Sequence, residues 1–368
     1  MTAPSRALVA VAELYHAWLT GLILMVVSRR GGADAAELVF RIFRRQQLEK
    51  FLPGLDKLGL RGLPDAVACA QYHYLSNQVG GVGVEYVAES DRKAWIRYPP
   101  PRWIFDGAAI CGIPSEVSRA MLRGWHANNG VLLGNPRLGF VCTKQTVDGQ
   151  PGLEGYYLEH DRELEPDERL RFSPGEDAPD VDPAGAPMLE SATWPEERLR
   201  KVYRNYAMDY LRTALPVILE LFGPAEGAHL AGLAARLIGM QHHHRTMARL
   251  VQPDTRTSDD RAARPPASGL VPALALLLAA QGEEVEIVHL GDEGATGVVR
   301  QHGFRLMRGV AHPPPQVLDC WAELWRGFVV AHDRRLRLEV ERAGDGAVLT
   351  IEPLRAFPQP SRSSAYQV

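Results

Sequence analysis

The chain echoes itself at a separation of about 200 residues, and that echo limits its fold more than any local pattern does. Gly31 and the segment after it answer Gly223, Gln46 answers Gln241, and Val84-Glu85 answers Val285-Glu286. Trp125 answers Trp325, Arg137-Leu138 answers Arg335-Leu336, and Asp148-Gly149 answers Asp345-Gly346. The matches keep their order along the chain, and their drift in spacing is what loop insertions produce. At 368 residues the chain has room for two domains, and 46% hydrophobic content gives each a core. The fold expected is therefore α+β, with two tandem copies of a helical hairpin plus antiparallel-sheet unit (helix-β-β-helix-β-β), arranged as a pseudo-dimer. The alternative is two unrelated α/β domains that share generic helix and strand patterns.

The first copy is expected over residues 1–160, with helices near 5–28, 33–51 and 62–78. Strands at 82–88 and 93–98 follow from period-two alternation. A helix over 115–130 starts behind Pro114 and sets Val117, Met121, Leu122 and Trp125 at helical spacing. Asn129-Gly130 and Gly134-Asn135-Pro136 should stop it, and strands at 137–145 and 153–159 close through Asp148-Gly149. Residues 161–193, rich in Pro and acidic side chains, are expected to be a linker. The second copy is expected over 194–356, with helices at 194–222, 225–251 and 269–281, strands at 284–289 and 296–308, a helix at 314–331 and a hairpin at 335–352. Residues 252–268 look like a mobile insertion, and 357–368 a disordered tail.

A net charge of -3 gives no summed positive field for nucleic acid or anionic lipid. The apolar run Ala17–Val27 is shorter than the ~20 residues a bilayer needs and is expected to be a buried helix. Four scattered cysteines with no CxxC pair fit a reducing cytoplasm. No P-loop, dinucleotide fingerprint or GxSxG elbow is present, so no cofactor is expected. His242-His243-His244 invites a metal reading, but consecutive helical residues diverge by ~100° and cannot share one ion unaided. No metal site is expected.

The chemistry is expected between Asp91 and Tyr157, where Trp, Arg, Asn, Cys and Gly are dense. Cys111 lies just ahead of a predicted helix, which favours a thiolate, although a lone cysteine is more often a small buried hydrophobe. His126 and His73 titrate near neutrality and are candidate acids or bases; Asp91 is a candidate acidic partner. Arg102, stiffened by the preceding prolines and flanked by Trp103, together with Arg137 and Lys144, could hold a substrate carboxylate. Asn128 and Asn129 add polar recognition beside His126, or else cap a helix. At an offset of 200, His126, Asn128 and Asn129 meet Arg326, Phe328 and Val329, so the site is expected in the first copy, with the second closing the pocket.

The stretches Arg92–Tyr98, Trp125, Asn135-Pro136 and Asp148–Gly152, spread over about 90 residues of the first half, resemble the L-2-amino-thiazoline-4-carboxylic acid hydrolase family. The helix and hairpin units are also similar to small ligand-binding domains of the vinyl-reductase type. The resemblance implies hydrolytic opening of a cyclic amidine or thiazoline-like C–N bond to an N-carbamoyl amino acid. Such chemistry needs an attacking water or thiolate, an acid and a cation: Cys111 or His126, Asp91 or His73, and Arg102 or Arg137. The other reading is a non-catalytic small-ligand-binding or accessory protein of an enzyme complex. Either reading expects a small, carboxylate-bearing ligand, no nucleic acid, no membrane, and a possible homo-oligomer or partner subunit.

Overall fold

The structure, a computed structural model, describes residues 5–101, 104–180, 185–189, 193–251 and 269–354. The expected mobile insertion, the tail, Arg102 and Trp103 lie outside the described residues. The first half runs α1 (Arg6–Arg30), α2 (Gly32–Leu58), α3 (Asp65–Val79), β1 (Glu85–Ser90), β2 (Lys93–Tyr98), α4 (Ser115–Gly124), α5 (Asn129–Leu133), β3 (Leu138–Lys144) and β4 (Leu153–Glu159). A short strand, β5 (Leu170–Phe172), then pairs in parallel with β3. The second half runs α6 (Glu196–Phe222), α7 (Pro224–Val251), α8 (Leu270–Ala280), β6 (Glu284–Leu290), β7 (Gly297–His302), α9 (Gln316–His332), β8 (Leu336–Ala343) and β9 (Gly346–Pro353).

The fold is α+β. One sheet has the order β1-β2-β4-β3-β5 and the other β6-β7-β9-β8; apart from β5 every pairing is antiparallel. Both sheets thus follow the same path, and each half leads with a pair of long helices. Each pair turns at a glycine with positive φ, Gly31 at 95° and Gly223 at 83°, a conformation that L side chains rarely adopt.

Three boundaries depart from the sequence pattern for identifiable reasons. α2 continues through Pro53 to Leu58, because Leu55 is buried and Gly59, at φ 71°, supplies the left-handed end. The helix expected over 115–130 breaks at Trp125, and the freed carbonyls of Arg123 and Gly124 accept from the Arg44 guanidinium at 2.9 and 2.8 Å. Gly130 stands inside α5 rather than stopping a helix: a Cβ there would lie 2.6 Å from the Leu138 carbonyl oxygen. Within the stretch read as a linker, β5 extends the first sheet, and Glu176 accepts from the Tyr156 hydroxyl at 2.9 Å across that sheet's outer face.

The core is continuous across both halves because α1 lies against α6, α7 and α8. Trp18 is fully buried, and its indole donates to the Ala231 carbonyl on α7 at 3.1 Å. α1 is long and apolar enough to cross a membrane by length and composition, yet 67% of its most apolar window is buried inside the fold. Two tyrosines cross between the halves in opposite directions. Tyr15 of α1 donates to Gln281 Oε1 at the end of α8 (2.7 Å), and Tyr206 of α6 donates to Asn77 Oδ1 on α3 (2.7 Å).

α7 and α9 pack nearly backbone to backbone. A Cβ on Gly239 would sit 2.0 Å from the Leu324 carbonyl oxygen, and one on Gly327 would sit 2.0 Å from that of Arg236. Gly327→Ala is therefore expected to lower stability by about 1–3 kcal/mol, since the obstruction is backbone that cannot step aside. Gly232→Ala, elsewhere on α7, meets only the flexible Glu323 side chain at 3.3 Å and should be neutral or stabilising. Urea denaturation of the two variants checks the contrast.

Candidate functional site

A cavity of about 500 Å³ opens between α2 and α3 of the first half and α6 of the second. Tyr72, His73, Ser76 and Asn77 reach it because α3 presents them on adjacent turns of one face. β2 supplies Tyr98, the break after α4 supplies Trp125 and His126, and α6 supplies Tyr206, Asp209 and Tyr210. Gly54 on α2 makes room for the Tyr72 ring, since a Cβ there would lie 2.4 Å from it. Gly80 likewise admits Tyr206, at 2.6 Å from the position of its absent Cβ.

His73 and His126 form the inner end. Their rings stack at 4.2 Å between centroids and 16° apart, and their relative exposures are only 5% and 6%. Tyr98 brings its hydroxyl to 3.2 Å from His73 Nδ1, and Tyr157 brings its own to 2.7 Å from His126 Nδ1. Behind them runs a buried chain of hydrogen bonds. Asn128 donates to Gln47 Oε1 (2.9 Å), Gln47 donates to Asn129 Oδ1 (3.1 Å), and Asn129 donates to the Tyr157 hydroxyl (2.8 Å). The Tyr157 hydroxyl thus lies between the two, accepting from Asn129 and hydrogen-bonded to His126 Nδ1.

Burial lowers the His73 pKa to about 3, so its imidazole is neutral near pH 7. Burial also pushes the hydroxyls of Tyr157 and Tyr206 well above their ordinary value, which keeps both as neutral donors. The cavity lining is charged where α2 and α6 meet. Lys50 pairs with Asp209, whose carboxylate also lies 3.5 Å from Arg212. Burial lowers the Lys50 pKa, and the Asp209 charge works against that shift. The lining carries Lys50, Lys57 and Arg212 against Glu49 and Asp209, an excess of one cation.

Of the residues singled out by sequence, His73, His126, Asn128 and Asn129 come together in this cluster. Among the described residues, Cys111, Asp91, Arg137 and Lys144 stand apart from the cavity lining. Cys111 is exposed on a short 3-10 helix over 107–112, and Asp91 is exposed at the β1–β2 turn. Arg137 pairs with Glu159 at 2.5 Å on the β3–β4 ladder. Lys144 donates to the carbonyls of Pro174 and Glu176, which ties the 173–178 segment to β3. Burial pushes the Cys142 thiol up to about 12. Sequence reasoning passed over Gln47, Asn77, Tyr98, Tyr157 and Tyr206. One signal for them was available: Gln46-Gln47 places two amides on a helix face otherwise filled by Leu38, Ile42 and Phe51. Comparison with family models, with curated proteins and with solved structures returns no match.

Two outcomes test the cluster. Asn129→Ala leaves the Gln47 amide N–H without its acceptor and takes one of the Tyr157 hydroxyl's two bonds, and should cost about 1–3 kcal/mol for the orphaned amide, measured by denaturant unfolding. His73, at about 3, and His16, lowered by burial to about 4, both stay neutral in the folded chain while the unfolded chain takes up protons below ~6.5. Stability is then fully present above ~6.5 and is lost as pH falls toward these folded values. His73→Gln should flatten that acid limb by up to one proton, ~1.4 kcal/mol per pH unit, in unfolding midpoints measured against pH.

Proposed function

We propose that the chain is a small-molecule-binding protein whose cavity takes a planar, ring-bearing monoanion. The observation that carries this reading is the pairing of a neutral, aromatic inner end with a charged wall that has one cation to spare. A flat ring lies against the faces of Tyr72 and Trp125, which are nearly parallel to each other at 26°. His73 and His126 offer ring nitrogens to the ligand's heteroatoms, and the ligand carboxylate goes to Lys50 and Arg212. The Trp125 indole nitrogen is buried with no hydrogen-bond partner among the described residues, so the ring is held by packing alone. The four cysteines are all unpaired, in keeping with a reducing compartment such as the cytoplasm.

A second reading is hydrolytic opening of a cyclic amidine or thiazoline ring, as the family resemblance implies. It is favoured by one observation: His126 abuts a tyrosine hydroxyl at the end of a directional chain of hydrogen bonds, an arrangement that can set an imidazole to accept a proton from water. Binding without turnover remains our reading, because Cys111, Asp91 and Arg137 all stand away from the cavity lining and Cys69, the thiol nearest the cluster, is pushed far up by burial.

Incubation with 2-aminothiazoline-4-carboxylate and related cyclic amidines, followed by calorimetry and mass spectrometry, separates the two. We expect saturable binding and no ring opening. Lys50→Ala should weaken binding of the carboxylate by about tenfold while leaving a carboxamide analogue unchanged. Ring opening that His126→Gln abolishes would replace this reading with the hydrolytic one.

A further inference from the structure

The three consecutive histidines on α7 lie far from the cavity described above, and they diverge around the helix as the geometry of α7 requires. The fold nevertheless gives one of them a partner. His243 Nε2 lies 3.2 Å from Nδ1 of His332, the last residue of α9, with the two rings inclined at 72°. Two imidazole nitrogens bound to one tetrahedral ion at ~2.0–2.1 Å stand about 3.3 Å apart, so the spacing observed, which also suits an N–H···N hydrogen bond between the two rings, matches that of two ligands on one metal.

The pair is also held in place. The α7–α9 crossing is pinned by Gly239 and Gly327, each of which presses against backbone of the opposite helix, so the two helices cannot slide past each other. The His243 ring is set edge to face on Phe328, whose centroid is 4.7 Å away. His332 is exposed, which leaves one side of the pair open to water as remaining ligands.

We propose that His243 and His332 form a two-histidine binding site for a divalent late transition ion, zinc, nickel or copper, that ties the end of α9 to α7. Imidazole nitrogens select these ions over magnesium or calcium, which take oxygen ligands. His242 and His244 point elsewhere around the helix and are not ligands.

The test uses full-length protein without an affinity tag, titrated by calorimetry with zinc chloride and, separately, nickel sulfate. One ion per chain is expected to bind at micromolar affinity. His332→Ala, at an exposed position, and His243→Gln, which keeps a side chain against Phe328, should each weaken binding by at least about tenfold. His242→Ala and His244→Ala should leave it unchanged. Saturating zinc should raise the Tm of the parent protein but not of His332→Ala, since an ion bound only by the folded state stabilises it. The site is refuted if the parent binds no stoichiometric ion, if His332→Ala binds as tightly as the parent, or if binding is lost only in the His242 or His244 variants.

Discussion

The structure depends on an exchange of helices between its halves. α1 is carried by the first half but packs on α7 and α8 of the second, and α6 of the second half forms a wall beside α2 and α3 of the first. Each exchanged helix is fixed by a tyrosine, the buried Tyr15 to Gln281 and the half-buried Tyr206 to Asn77, so the apolar interlock also carries a directional bond. One cluster of buried apolar residues therefore runs through both halves. The two sheets remain apart and stay at the outer ends of this helical centre.

That exchange also creates the site. Neither half owns the cavity: α2, α3 and the first sheet supply its inner end, and α6 closes it. Polar groups at the inner end survive burial because nearly every one is bonded in sequence from Asn128 to His126, in a low-dielectric setting where an orphaned donor is costly. In the second half the corresponding depth is filled by Trp321, Trp325 and Phe328, and the indole of Trp321 donates to Tyr15 at 3.1 Å. A polar cluster on one side of the helical centre thus faces an aromatic one on the other.

Much of the scaffold was legible because its signals are local. Period-two alternation located β2 to the residue, the turn signal at Asp148-Gly149 placed β4 after it, and Pro114 marked the start of α4. The break at Trp125 was not legible, since Arg44, which caps the loosened turn, lies 80 residues away from Gly124. The site was half legible for the same reason. His73, His126, Asn128 and Asn129 stand out by residue type, whereas Tyr157, Gln47 and Tyr206 acquire their roles only through partners on other elements. Arg137 and Lys144 show the converse: a cation suited to a carboxylate ligand is equally suited to a strand-edge ion pair or to holding a crossing segment, and sequence does not distinguish the uses.

The position of α1 has a consequence for how the chain reaches its fold. Its tyrosine and tryptophan contacts bridge 213, 266 and 306 residues, so this apolar helix is made well before the partners that cover it. Contacts of such long sequence separation form slowly, because the loop they close must be ordered before they reward it. During synthesis α1 emerges before α7 and α8 and stays uncovered on that side until they follow, a species that invites self-association or capture by a chaperone. The interlock that makes the finished molecule continuous therefore concentrates its vulnerability in the interval before the second half exists.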